Sequence, residues 1–323
     1  MSLLKLRLSM IGSLAFIIAA STLAFTVIMS LTGTLNLIAL AFVVVAFNLV
    51  QWLFAPRLID ALYKVREVSK AENSKLYRMV QGLSAKSGLK MPRVMVANIG
   101  IPNAFAYGSP ISGSRVAVTR GMLDELEDEE VEAVIGHELG HLKHKDVQIM
   151  MFASVLPAIF YFIGYSMMLS AWFGGARRDQ RGAAPILIGL CCMAIYWILS
   201  LLVLGLSRLR EYHADQHSAT VVEDGPRKLS EALAKIVTSS AKAKRRRDAA
   251  GPRANSFKTL FIDDPDRAER DAAEIARTRR LRTDQDLVRE VISRKVSTLD
   301  RVLELLSSHP NMVKRLNALQ RLA

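Results

Sequence analysis

Charged residues vanish from long stretches of this chain and crowd into the rest. Between Arg7 and Arg57 lie 49 positions without a single Asp, Glu, Lys or Arg, far too many for the apolar core of a signal peptide. The turn-prone residues Thr32-Gly33-Thr34-Leu35-Asn36 divide that gap into apolar runs near Met10–Leu31 and Leu37–Ala55. Val147–Ala176 and Gly182–Ser207 are equally free of charge. Each run is long enough to cross a bilayer as a helix, and open backbone groups cannot be left in hydrocarbon. The pattern therefore predicts four membrane-spanning helices in two hairpins, with Pro157 marking a kink or a site of local repair.

The intervening segments have the periods of a folded aqueous domain. Leu58, Leu62, Val65, Val68, Leu76, Met79 and Val80 suit a helix from Leu58 to about Gly82, and Gly88 ends the stretch that follows. The period then changes to short β-prone runs, Arg93–Ala97, Asn103–Tyr107 and Ser114–Thr119, punctuated by Gly100, Gly108 and Gly113, which predicts a small sheet. Helix resumes at Met122. Asp128, Glu129, Glu130 and Glu132 stand where negative charge complements a helix dipole, and Val131, Val134, Ile135, Leu139 and Leu142 supply a buried stripe. This helix is expected to continue through Lys143 and Asp146 towards the third apolar run.

Composition agrees with such segregation, because 51% of the 323 residues are hydrophobic while 23% remain charged. Lys5, Arg7, Arg57, Lys64, Arg66, Lys143, Lys145, Arg208 and Arg210 flank one side of the predicted spans, against Arg177, Arg178 and Arg181 on the other. By the positive-inside rule both aqueous segments face the cytoplasm. Cys191 and Cys192 are neighbours with no distant partner, so a disulfide framework and a Cys-rich zinc module are both disfavoured. The basic excess is C-terminal and densest at Lys242–Arg247. That run reads first as a solvated stretch and next as an attraction for anionic lipid heads. Nucleic acid is not an expected partner, since no interleaved aromatics or recognisable module accompany the charge.

The candidate chemistry lies at His137-Glu138-Leu139-Gly140-His141. On a helix the two histidines differ by about 40° around the axis and one turn along it, so both imidazoles reach one tetrahedral ion. Glu138, turned by about 100°, is placed to hold a water in an open coordination position and act as general base. Two histidines at this spacing are also compatible with a satisfied surface pair, so a third ligand decides. A metzincin arrangement is excluded by His144 and Val147. The thermolysin-like alternative takes a Glu from a later helix, and Arg210–Asp215 supplies Glu211 as ligand with Asp215 as the acceptor that fixes a liganding histidine's tautomer. His213 and His217 fall off that face and are read as bystanders, whereas His144 lies nearly 10 Å along the axis from His137, too far for one ion unless the helix bends, and is left as a neighbour of open role.

With these motifs between two apolar hairpins, the chain resembles the HtpX-type membrane zinc metalloproteases over nearly its whole length. Pro102–Gly108, Val116–Thr119 leading to Gly121–Leu123, and His309-Pro310 followed by Arg315 carry the rest of the likeness; Asn311 departs from a position where the family often repeats proline. The resemblance implies a membrane α+β protein, with four transmembrane helices in two hairpins and a mostly helical cytoplasmic zincin-like protease domain carrying a small β-sheet. Its parts would be an N-terminal hairpin over 1–56, protease segments over 57–146 and 208–323, and a second hairpin over 147–207. It implies one Zn2+ per chain, and an edge strand of Asn103, Ala104, Phe105 and Ala106 that pairs with extended substrate, the alternative being an ordinary strand with Phe105 buried. His309 would donate to the oxyanion and Arg315 pair with an acidic partner, the alternative being a helix start with Pro310 at its first position.

The implied activity is endoproteolysis of damaged membrane or membrane-associated proteins at the cytoplasmic face of the cell membrane. No Walker A pattern occurs, so ATP-driven unfolding by this chain is not expected. A prenyl-protein endopeptidase shares the zinc motifs but would want a larger intramembrane cage. A non-catalytic zinc-stabilised scaffold would need no base at Glu138. The insert from about Ser239 to Arg294 has no assigned role.

Overall fold

The computed structural model describes residues 37–173, 184–248, 283–294 and 296–323. The predicted span Met10–Leu31 lies outside them. In chain order the elements are α1 Leu37–Leu62, β1 Val65–Glu67, α2 Ser74–Ser87, β2 Arg93–Ala97, β3 Ala104–Ser109, β4 Gly113–Thr119, α3 Arg120–Glu125, α4 Asp128–Lys143, α5 Asp146–Phe173, α6 Ala184–Val221, α7 Gly225–Asp248, α8 Asp284–Ile292, α9 Thr298–Leu305 and α10 Met312–Gln320. The described residues are mostly helical with one small sheet. It divides into two compact units, one taking residues up to Trp52 together with Gln148–Leu206, the other Leu53–Val147 and Ser207–Ala323.

Within the first unit, α5 and α6 approach closely at glycine. A Cβ on Gly189 would lie 3.0 Å from the Gly164 carbonyl oxygen and 2.8 Å from Met168 Cγ. Tyr161 and Tyr196 meet edge to face nearby, at 5.1 Å. Among the described residues, Asp146–Leu169 and Pro185–Val221 are the helical stretches long and apolar enough to cross a membrane by length and composition.

The second unit is built on a sheet of order β1-β2-β4-β3, with β2 parallel to β4 and the other pairs antiparallel. β3 is thus an edge strand, paired along one side from Ala104 opposite Val118 to Ser109 opposite Gly113. Alternate side chains serve two cores. Val94, Val96, Ala104, Val116 and Val118 join Leu76, Val80 and Leu83 of α2, Val131, Ile135 and Leu139 of α4, and Leu229 and Leu233 of α7. Met95, Ala97, Phe105, Tyr107 and Ala117 face the other way, with Ile59 and Val65 against them.

Two sequence expectations need correction. The helix predicted from Leu58 to about Gly82 is broken, because Lys64 adopts a left-handed φ of 50° and Val65–Glu67 leaves as a strand that pairs with β2. Val65 is therefore a strand position, and Val68, just past the strand, donates its backbone N–H to the Val94 carbonyl at 2.9 Å, although the two fit a helical period. The zinc-motif helix does not run through Asp146 either. It stops at Lys143, Lys145 takes φ 56°, and a new helix starts at Asp146.

Candidate active site

α4 has one face locked in the core through Val131, Ile135 and Leu139, and its opposite rows are free to carry chemistry. Its close partner is the polar end of α6, beyond the charge-free run. Gly136 and Gly140 make that approach possible: a Cβ at 136 would sit 2.9 Å from Val222 Cγ2, and one at 140 only 3.0 Å from Ala214 Cα. Ser218 Oγ then donates to the Ala133 carbonyl at 2.6 Å, tying the two helices across the contact. Side chains one turn apart on each helix, His137 and His141 on α4, Glu211 and Asp215 on α6, consequently meet.

The imidazoles are held from behind. His137 Nδ1 lies 2.9 Å from Asp215 Oδ1, and His141 Nδ1 lies 2.6 Å from Asp146 Oδ2. A proton donated at each Nδ1 leaves the Nε2 lone pairs as acceptors, that of His137 also 3.2 Å from Arg315 Nη2. Those two Nε2 atoms converge to 3.2 Å, and the Glu211 oxygens stand 3.7 Å from the first and 3.6 Å from the second. Glu138 is buried beside them, and the donor atoms of His137, Glu138 and His141 all fall within 4.8 Å of one another. Among the described residues this is the one such group of His, Cys, Asp or Glu.

A second layer of charge surrounds the donors. Arg315, at 1% side-chain exposure, grips Asp215 with Nε at 2.7 Å and Nη2 at 2.6 Å while Nη1 lies 3.2 Å from Glu211 Oε2. His309 Nδ1 lies 3.3 Å from Glu211 Oε1. Arg210 pairs with Asp146 and also donates to the His144 carbonyl at 3.2 Å. Burial works to lower the pKa of His141, but the hydrogen bond it donates to Asp146 and the charges of Glu211 and Glu138 outweigh it and lift the imidazole to about 9. The pocket thus favours positive charge where the two Nε2 atoms converge. Two imidazoles with oriented Nε2 atoms plus a carboxylate are a donor set that suits a tetrahedral divalent ion with an open position, so the residues present fit zinc.

His137, Glu138, His141, Glu211, Asp215, His309 and Arg315 therefore come together. Ala104, Phe105 and Ala106 lie on the edge strand, with Asn103 buried just before it. Phe105 is itself buried, 5.7 Å from the Tyr63 ring, so only its backbone is available to another chain. His144, His213 and His217 form a separate group, with ring centroids 5.9 and 6.0 Å from His144, and His217 Nε2 shares a 2.9 Å hydrogen bond with Ser87. Sequence reasoning missed Asp146, Arg210 and the two glycines. Asp146 could not be found by periodicity, since on a continuous helix it falls about 140° from His141. The glycine pair four residues apart was a usable signal for close helix packing.

A family model described as Peptidase family M48 matches residues 70–323. The Protease HtpX homolog of Thermoplasma acidophilum is 33% identical over 334 residues, covering 100% of this chain and 99% of that one. The Protease HtpX homolog of Aeropyrum pernix is 37% identical over 319 residues, covering 98% and 96%. Among solved structures, the crystal structure of S. mikatae Ste24p superposes with a TM-score of 0.57 at 16% identity, covering 95% of this chain and 64% of that chain, a likeness of fold alone.

Proposed function

The chain belongs to peptidase family M48 and is an HtpX-type metalloprotease, and from that premise we propose that it is a membrane-integral zinc endopeptidase acting on unfolded or damaged membrane and membrane-associated proteins at the cytoplasmic face. The observation that carries the zinc reading is the pair of imidazoles pinned at Nδ1 by Asp215 and Asp146, with their Nε2 atoms 3.2 Å apart beside Glu211. In this reading His137, His141 and Glu211 hold the ion. Zinc, when bound, supplies Lewis acidity that polarises a carbonyl and lowers the pKa of water towards about 7.

The chain's own groups do the rest. The Glu138 carboxylate accepts a proton from the attacking water and delivers it to the leaving amine nitrogen, so that a C–O bond forms and the C–N bond breaks with protons balanced. His309 donates to the oxyanion of the tetrahedral intermediate. Asp215 and Arg315 keep His137 and Glu211 in register. The outer edge of β3 at Ala104 to Ala106, with Asn103 leading into it, pairs with an extended substrate backbone, a contact indifferent to side-chain sequence and therefore suited to unfolded chains.

The four charge-free runs and their basic flanks support two membrane hairpins with the protease unit in the cytoplasm. The absence of a Walker A pattern supports substrates that arrive already unfolded. The experiment is a chelator and add-back assay: purified protein should lose casein cleavage in 1,10-phenanthroline and regain it with stoichiometric zinc. Cleavage that persists through complete zinc removal would overturn the reading.

A further inference from the structure

The protease unit begins with the last turns of α1, from Leu53, and that stretch has two unlike faces. Its inner face grips the substrate-side sheet edge: Asp60 accepts from Tyr107 at 2.6 Å and pairs with Arg115, and Ser109 donates to the Leu53 carbonyl at 3.0 Å. Its outer face is apolar where a water-facing helix should be polar. Phe54, Leu58 and Leu62, spaced four apart on one row, are exposed to 49%, 58% and 48%. The Ser109 bond also fixes the β3–β4 hairpin beside Leu53, and the tip of that hairpin presents Ile111 at 62% exposure. A row of large exposed apolar side chains marks a contact surface, and Ile111 is a further exposed apolar side chain on the hairpin tied to the start of that row.

We propose that Phe54, Leu58, Leu62 and Ile111 form a lipid-contact face that seats the edge of the protease sheet on the bilayer surface. Two observations select lipid over a protein partner. The row continues, on the same helix, the charge-free run that the function reading places in the membrane. Exposed Arg57, Lys64 and Arg66 lie beside it, and Arg57 sits 5.3 Å from the Phe54 ring, an arrangement suited to anionic headgroups above an apolar layer. The Asp60 and Ser109 bonds then hold β3 at the lipid–water boundary, where a polypeptide slipping out of the bilayer is first met in extended form.

This inference rests on the membrane reading above, and its test separates the two. In a Cys191→Ser, Cys192→Ser background, the full chain in nanodiscs of mixed neutral and anionic lipid is labelled with an environment-sensitive fluorophore at Leu58→Cys, Ile111→Cys, Leu202→Cys and Lys75→Cys. Leu202 lies exposed in the apolar part of α6 and Lys75 on α2. Spin-labelled lipid should quench the probes at 58, 111 and 202 severalfold more than the probe at 75. Quenching at 202 with none at 58 and 111 overturns the lipid-contact face and leaves the membrane reading standing; quenching at none of them overturns both. As a functional arm, Ile111→Asp should leave casein cleavage within twofold and lower cleavage of a bilayer-inserted substrate about tenfold, and equal effects on both substrates would count against the proposal.

Discussion

Asp146 Oδ2 lies 2.6 Å from His141 Nδ1, although the two residues belong to different helices. The left-handed Lys145 makes this possible by turning the chain back on itself just after the zinc motif. Asp146 fixes the imidazole, and Arg210 fixes Asp146.

Removing that carboxylate should therefore loosen the metal, and also lower the unit's stability by leaving Arg210 buried without its acid partner. Asp146→Ala is expected to weaken zinc binding about 10–100-fold in a chelator competition, the usual cost of losing a carboxylate behind a metal-bound histidine. Unchanged affinity would mean that His141 is oriented by something else.

The helix break also marks the limit of what the residue pattern revealed. Motif spacing located His137, Glu138, His141, Glu211 and Asp215, because helical geometry ties separation in sequence to position on a face. Strand composition likewise located β2, β3 and β4. Lys64 and Lys145 escaped, since a single left-handed residue between two helix-compatible segments leaves no periodic trace and its position is decided by tertiary packing. β1 escaped because it is only three residues long and Val65 and Val68 stand three apart, a helical spacing, although the fold sends them to opposite cores.

Arg315 neutralises two buried carboxylates, Asp215 and Glu211, from a position at 1% exposure. Arg315→Met should destabilise the unit by roughly 3–5 kcal/mol, the range for breaking a buried ion pair by removing one partner. Arg315→Lys should recover only part of this, because a point charge cannot span both acids. Thermal unfolding in detergent reads the difference, and a lysine variant as stable as the parent would contradict the two-acid role.

Gly140 sets the distance between the helices that carry the donors. Gly140→Val forces side-chain volume against the Ala214 backbone, and is expected to cost about 1–3 kcal/mol and to lower zinc occupancy together with stability. Gly82 in α2 is the control, because a Cβ at that position would meet nothing within 4 Å, so Gly82→Ala should leave occupancy unchanged and add up to about 1 kcal/mol of helix stability. Equal behaviour of the two variants in metal analysis would remove the packing argument.

In the proposed mechanism Glu138 moves the proton at a site whose metal is held by its neighbours. The direct measurement is zinc content and casein cleavage on the same preparation of Glu138→Gln. Zinc is expected at the parental level, with cleavage lowered by at least about 100-fold, the scale of a general base. Cleavage at the parental rate in that zinc-loaded variant would contradict that mechanism.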